Sequence, residues 1–134
     1  MLSRRAAIVF GVGNLLTAAL IVLGVFVGLP RFAPVDVVAS GLCVLELTAA
    51  GALLSGVGWA PRVAALAAFT ALALGLATVT ALALTASWLA GVYGPVGRGG
   101  ALILGFVAAL LLPYLVVWPA VTLVFLGPTK QASP

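Results

Sequence analysis

LPRFAPVDVVASGLCVLELTAAGALLSGVGWAPR, residues 29–62, is the stretch from which the whole chain can be read. It opens with two prolines around Arg31 and closes on GWAPR, residues 58–62. The run between is almost wholly apolar, with Asp36 beside Pro34 and Glu46 near the middle. Proline and glycine clusters punctuate helices. A third cluster, GVYGPVGRGG, lies at residues 91–100. The breaks leave four apolar segments, near 6–28, 35–58, 63–90 and 101–126. Each reaches the roughly 20 residues a helix needs to cross a hydrocarbon core of about 30 Å. Backbone in hydrocarbon must satisfy its own hydrogen bonds, so helix is the expected form. The third segment is the longest and is expected to tilt or to project past the headgroups.

Composition points the same way. Of 134 residues, 65% are hydrophobic and 6% charged, with a mean hydropathy of +1.39. A soluble domain carries about 25% charge. The expected fold is all-α: an integral membrane bundle of four transmembrane helices forming one domain over 1–134. The apolar run after MLSRR outlasts a signal-peptide core of about 7–15 residues, and no A-x-A cleavage site precedes LPRF. It is read as a retained first helix. Pro128 and TKQASP form a short tail.

Several function classes lose their residues. There is no histidine, which removes the commonest transition-metal ligand and the usual proton shuttle. One cysteine, Cys43, permits no intrachain disulfide or CxxC pair. No metal site and no cofactor is expected. The net charge of +4 comes from basic residues scattered singly, whereas nucleic acid needs a clustered basic face; no nucleic-acid partner is expected.

An even number of spans puts both termini on one side. That side carries Arg4, Arg5, Arg62 and Lys130, against Arg31 and Arg98 on the other. The positive-inside rule then places both termini in the cytoplasm of a multi-pass inner (plasma) membrane protein. Trp59 at one interface, and Trp88 with Tyr93 at the other, fit aromatic belts.

Helices in lipid associate through close backbone approach, which small residues allow. Small residues recur at four-residue spacing: Gly24 and Gly28, Gly51 and Ser55, Ala67, Ala71 and Gly75, then Ala101, Gly105 and Ala109. They serve either a subunit-binding face or packing within the bundle, and alanine and glycine are abundant enough for chance matches. Pro113 and Pro119 are expected to bend the fourth span.

Glu46 is the expensive residue. A carboxylate at mid-bilayer costs at least ~2.5 kcal/mol on insertion scales, so it is expected to face the bundle interior or a partner. Counted at 1.5 Å per residue, Glu46 and Tyr114 fall roughly 20 Å deep, with Thr78 in a similar layer and Asn14 and Thr17 somewhat shallower. A polar layer of Asn14, Thr17, Glu46, Thr78 and Tyr114 is therefore expected. Glu46 fixes helix pairing, anchors a partner, or handles a proton or cation. Asp36 reads as a helix cap and Cys43 as a small buried hydrophobe. Arg31 and Arg98 either contact lipid phosphates or a partner, or simply anchor at the interface.

VLELTAAGALLSGVGWAPRVAALAAF, residues 44–69, resembles the second and third helices of DoxX-like and MauE-like membrane proteins, with Glu46, Gly56 and Arg62 at the matching places. The resemblance covers about a fifth of the chain and implies a four-helix membrane fold. The fourth span, with PYLVVWPAVTLVFLGP, departs from the pattern, and the cysteines common in MauE-like chains are missing.

The expected function is a small non-catalytic subunit of a larger membrane assembly, in contact with lipid and with other subunits, hetero- or homo-oligomeric. The alternative is a small oligomeric transporter or channel using Glu46. A membrane enzyme acting on lipid would need a catalytic group from a partner.

Overall fold

The computed structural model describes residues 3–28 and 30–126. Among them the chain is all helix and turn, and four helical stretches are long and apolar enough to cross a membrane: Arg4–Val27, Ala33–Ser55, Ala60–Val92 and Gly94–Leu126. Lys130 and the TKQASP tail lie outside the described residues.

Helix α1 spans Arg4–Ile21 and continues as a π-helical turn over Val22–Val27. Ser3 caps it, its hydroxyl accepting from the Ala6 amide at 3.3 Å. Helix α2 spans Ala33–Ser55 and α3 spans Ala60–Val92. The fourth stretch is α4, Gly94–Leu112, a π-helical turn over Pro113–Val117, and α5, Trp118–Leu126.

Three boundaries differ from expectation for one reason. Pro34, Pro61 and Pro95 all sit in the first turn of the helix they open. There a missing N–H is harmless and the fixed φ suits the helix. The prolines mark helix starts inside the breaks, so α2 begins at 33, α3 at 60 and α4 at 94. The third break is barely a break: Tyr93 alone separates α3 from α4. Gly94, at φ 54°, makes the reversal, and Gly97 packs its Cα against the Leu89 carbonyl, where no side chain fits. Helix α2 ends three residues early, because Gly56 takes a left-handed φ of 72° and returns its amide to the Ala52 carbonyl at 3.1 Å.

The connections are short, so neighbours run antiparallel. Helix α3 is central and touches α2, α4 and α5, while α1 lies on α2. A stripe on α3 explains the centrality: Ala64, Ala67 and Ala71 are wholly buried, and Gly75 meets the Leu115 carbonyl directly. Side chains no larger than methyl let the backbones close up. One cluster joins Phe10, Leu53, Ala60, Ala64 and Leu126 at the end where α1 and α3 begin. A second joins Ile21, Leu42, Cys43 and Ala71 farther along.

Most of the other small residues lie on exposed faces, outside the packing of the bundle. A Cβ on Gly24, Gly51 or Gly105 would meet nothing within 4 Å. Ser55 and Ala109 are exposed, and Gly28 lies beyond the π turn, close to the Leu23 and Gly24 carbonyls of the preceding turn. Four-residue spacing makes a stripe but does not say which way the helix turns it. The outer surface is studded with large apolar side chains, including Leu16, Leu23, Phe69, Leu84, Leu102 and Phe106.

Candidate functional site

Buried polar side chains among the described residues are Asn14, Thr17, Glu46 and Thr122. Helix registry brings two of them to one level. The Cys43 thiol donates to the Ala18 carbonyl at 3.7 Å, and a Cβ on Gly11 would stand 3.5 Å from the Ala50 carbonyl. Both pairs belong to one register of the antiparallel α1–α2 contact, which sets Asn14 opposite Leu47, one residue from Glu46. Depth agrees. At 1.5 Å per residue, Glu46 lies about 14 Å in from Ser55 and Asn14 about 15 Å in from Arg4. The early end of α2 removes the depth offset expected between them. Each is only 2% exposed.

Helix α5 adds the third member. The Trp118 indole Nε1–H donates to Asn14 Oδ1 at 3.3 Å. That bond orients the amide and leaves Asn14 Nδ2, fully buried, without an acceptor. Glu46 receives no hydrogen bond from the described residues. The unpaired Asn14 Nδ2 thus sits on the helix packed against α2, near the level of Glu46. Glu46 lies on α2 at a similar level, while the bond itself ties Asn14 of α1 to the Trp118 indole of α5. Gly13 makes room for it: the indole ring lies where its Cβ would be. Phe10 packs on the same indole, with ring centroids 5.7 Å apart.

The hydroxyls behave differently. Thr17 donates to the Gly13 carbonyl at 3.1 Å and Thr122 to the Trp118 carbonyl at 2.9 Å, each within its own helix. Thr78 does the same with Leu74 at 2.8 Å, and it is exposed. Its place in the polar layer is therefore corrected. It lies about 27 Å along α3 from Ala60, well past the Asn14–Glu46 level, and a hydroxyl bonded to the i−4 carbonyl tolerates an apolar exterior. Tyr114 is half-buried. It lines an open apolar groove of about 530 Å³ between α1 and the Pro113 turn, with Val12, Leu16, Thr17 and Trp118 among its walls.

The arginines stand at the two ends. Arg31 lies 3.7 Å from Asp36 and 5.3 Å above the Phe26 ring. Asp36 sits in the first turn of α2 without capping it; the N-cap is Phe32, with no side-chain cap bond. Arg98 is exposed early in α4, and at the α3–α4 turn Trp88 and Tyr93 pack edge-on with ring centroids 5.8 Å apart. No group of three metal-ligating side chains stands together among the described residues.

Sequence reasoning missed Trp118, Gly13 and Thr122. A signal for Trp118 was present: counted from Leu126, it falls about 12 Å deep, near the level of Asn14. No family model matches the chain, and neither a curated protein nor a solved structure matches it.

Proposed function

We infer that the chain is a multi-pass protein of the cell inner membrane, with both termini in the cytoplasm. It serves as a non-catalytic subunit that docks on other membrane proteins. The division of its small residues carries the reading. Ala64, Ala67, Ala71 and Gly75 are consumed inside the bundle. Gly51 and Ser55 on α2, and Gly105 and Ala109 on α4, face outward with open space above the glycines. Outward small residues on apolar helices are what an incoming helix packs against. On α4, Gly97 is the sole buried residue.

Gentle-detergent purification with cross-linking tests this. A partner membrane protein is expected to co-purify, and Gly105→Leu with Ala109→Leu is expected to release it while the helical spectrum is kept. A lone monomer, or a partner retained by the variant, overturns the reading.

The buried, unpartnered Glu46 favours a second reading, an oligomeric transporter or channel that loads a proton or cation at that carboxyl. Flux in reconstituted vesicles should then collapse in Glu46→Gln. Flux unchanged by the substitution removes this reading's only ionisable residue.

A further inference from the structure

The end of the bundle where α1 and α3 begin carries basic residues to which the readings above give no ligand. Arg4, Arg5 and Arg62 are all exposed there. The chain has only two acidic residues. Asp36 pairs with Arg31 at the opposite end and Glu46 is buried in the interior. The three guanidinium groups therefore have no carboxylate side chain of their own chain to balance them. At the same end lies a cavity of about 260 Å³, lined by Ala7 of α1, Leu53 of α2, Val57 with Gly56 and Gly58 of the turn, and Ala60 and Pro61 of α3; Pro61 adjoins Arg62 in the chain. A Cβ on Gly56 or Gly58 would meet nothing within 4 Å, so the cavity mouth is open at the turn.

The turn's amides divide in two. Gly56 and Val57 bond back to the Ala52 carbonyl at 3.1 and 3.4 Å. The amides of Gly58 and Trp59 reach no carbonyl among the described residues. Successive free amides at a turn form an anion-binding concavity, and the N-termini of α1 and α3 add positive dipole ends. Trp59, half exposed beside them, is suited to the headgroup level of a bilayer.

We propose that the Arg4–Arg5–Arg62 end of the bundle, around the Gly56–Pro61 turn, binds the phosphate of an anionic phospholipid. Arginine matches phosphate oxygens in paired hydrogen bonds. The free Gly58 and Trp59 amides orient the same group, and the cavity beside Ala7 takes the ester arm. The inference rests on the membrane reading above.

Native mass spectrometry of the detergent-purified protein, with equal phosphatidylglycerol and phosphatidylcholine, tests it. Phosphatidylglycerol is expected to be retained at least about tenfold over phosphatidylcholine. The triple variant R4Q/R5Q/R62Q should lose that preference, and R31Q/R98Q should keep it. If the triple variant does not fold, Arg62→Gln alone should weaken retention roughly fivefold. A wild-type protein without preference overturns the proposal, as does equal loss in R31Q/R98Q. Displacement by inorganic phosphate, but not by chloride of the same ionic strength, also overturns it and gives the site to free phosphate. Carbonate washing of membranes separates the two readings: protein that washes out refutes membrane residence, whereas retained protein without lipid preference refutes the lipid site alone.

Discussion

Gly13 and Gly51 are the same residue type in helices, yet they should answer opposite ways to an added methyl. The Trp118 indole covers Gly13, while open space surrounds Gly51. Gly13→Ala should destabilise by about 1–3 kcal/mol, the usual cost of overpacking. Gly51→Ala should be neutral or stabilising by up to ~1 kcal/mol, since alanine is the better helix former. Unfolding in mixed micelles reads both, and equal stability of the two variants would place the indole elsewhere. The Trp118–Asn14 bond calls for a double-mutant cycle. Asn14→Leu and Trp118→Phe should couple by about 0.6 kcal/mol, the usual worth of a hydrogen bond between membrane helices; zero coupling would mean the bond does not form. At this scale Asn14 and Glu46 were legible from the sequence, because a polar side chain in apolar sequence stands out by its cost. Gly13 was not, because one glycine among 16 gives no sign of what lies over it.

The elements were legible as far as their number and order. Four apolar runs predict four helices, and Pro34, Pro61 and Pro95 stand close to three of the starts. What stayed hidden was rotation. Ala71 and Gly75 turn inward on α3, while Gly105 and Ala109 turn outward on α4, although both pairs have the same spacing. A soluble helix reveals its buried face through polar residues on the other side. Here both faces are apolar and that contrast is lost, so Thr78 also fell on the wrong side. The contact of Gly75 with Leu115 makes a test at this scale. Gly75→Leu should force α3 away from the Pro113 turn and cost about 1–3 kcal/mol. Thr78→Leu, on the outer surface, should stay within about 0.5 kcal/mol. Thermal unfolding of the two variants in one detergent decides it; a tolerated Gly75→Leu would mean the helices do not approach as described.

For the whole molecule, the proposed orientation is checked by labelling in a Cys43→Ala background. Tyr93→Cys should react with a membrane-impermeant maleimide added to intact cells. Ser3→Cys should react only after permeabilisation, and the reverse pattern would turn the bundle over. The sequence supports this orientation by a small excess of basic residues, one of which, Lys130, lies outside the described residues. The two ends also differ in kind. One has Arg31 already engaged by Asp36; the other has three arginines with no acidic side chain beside them.

The connection between α3 and α4 bears on how such a chain is made. Tyr93 alone joins two helices of 33 and 19 residues. A linker of one residue offers no slack, so in the membrane reading a nascent α3 cannot settle in the bilayer while its successor waits at a distance. The two must leave the insertion machinery as a closed hairpin, with the polar groups of the turn crossing together. Helix α5, which brings Trp118 to Asn14, follows α4 in the chain and can dock on α1 only after that hairpin has formed.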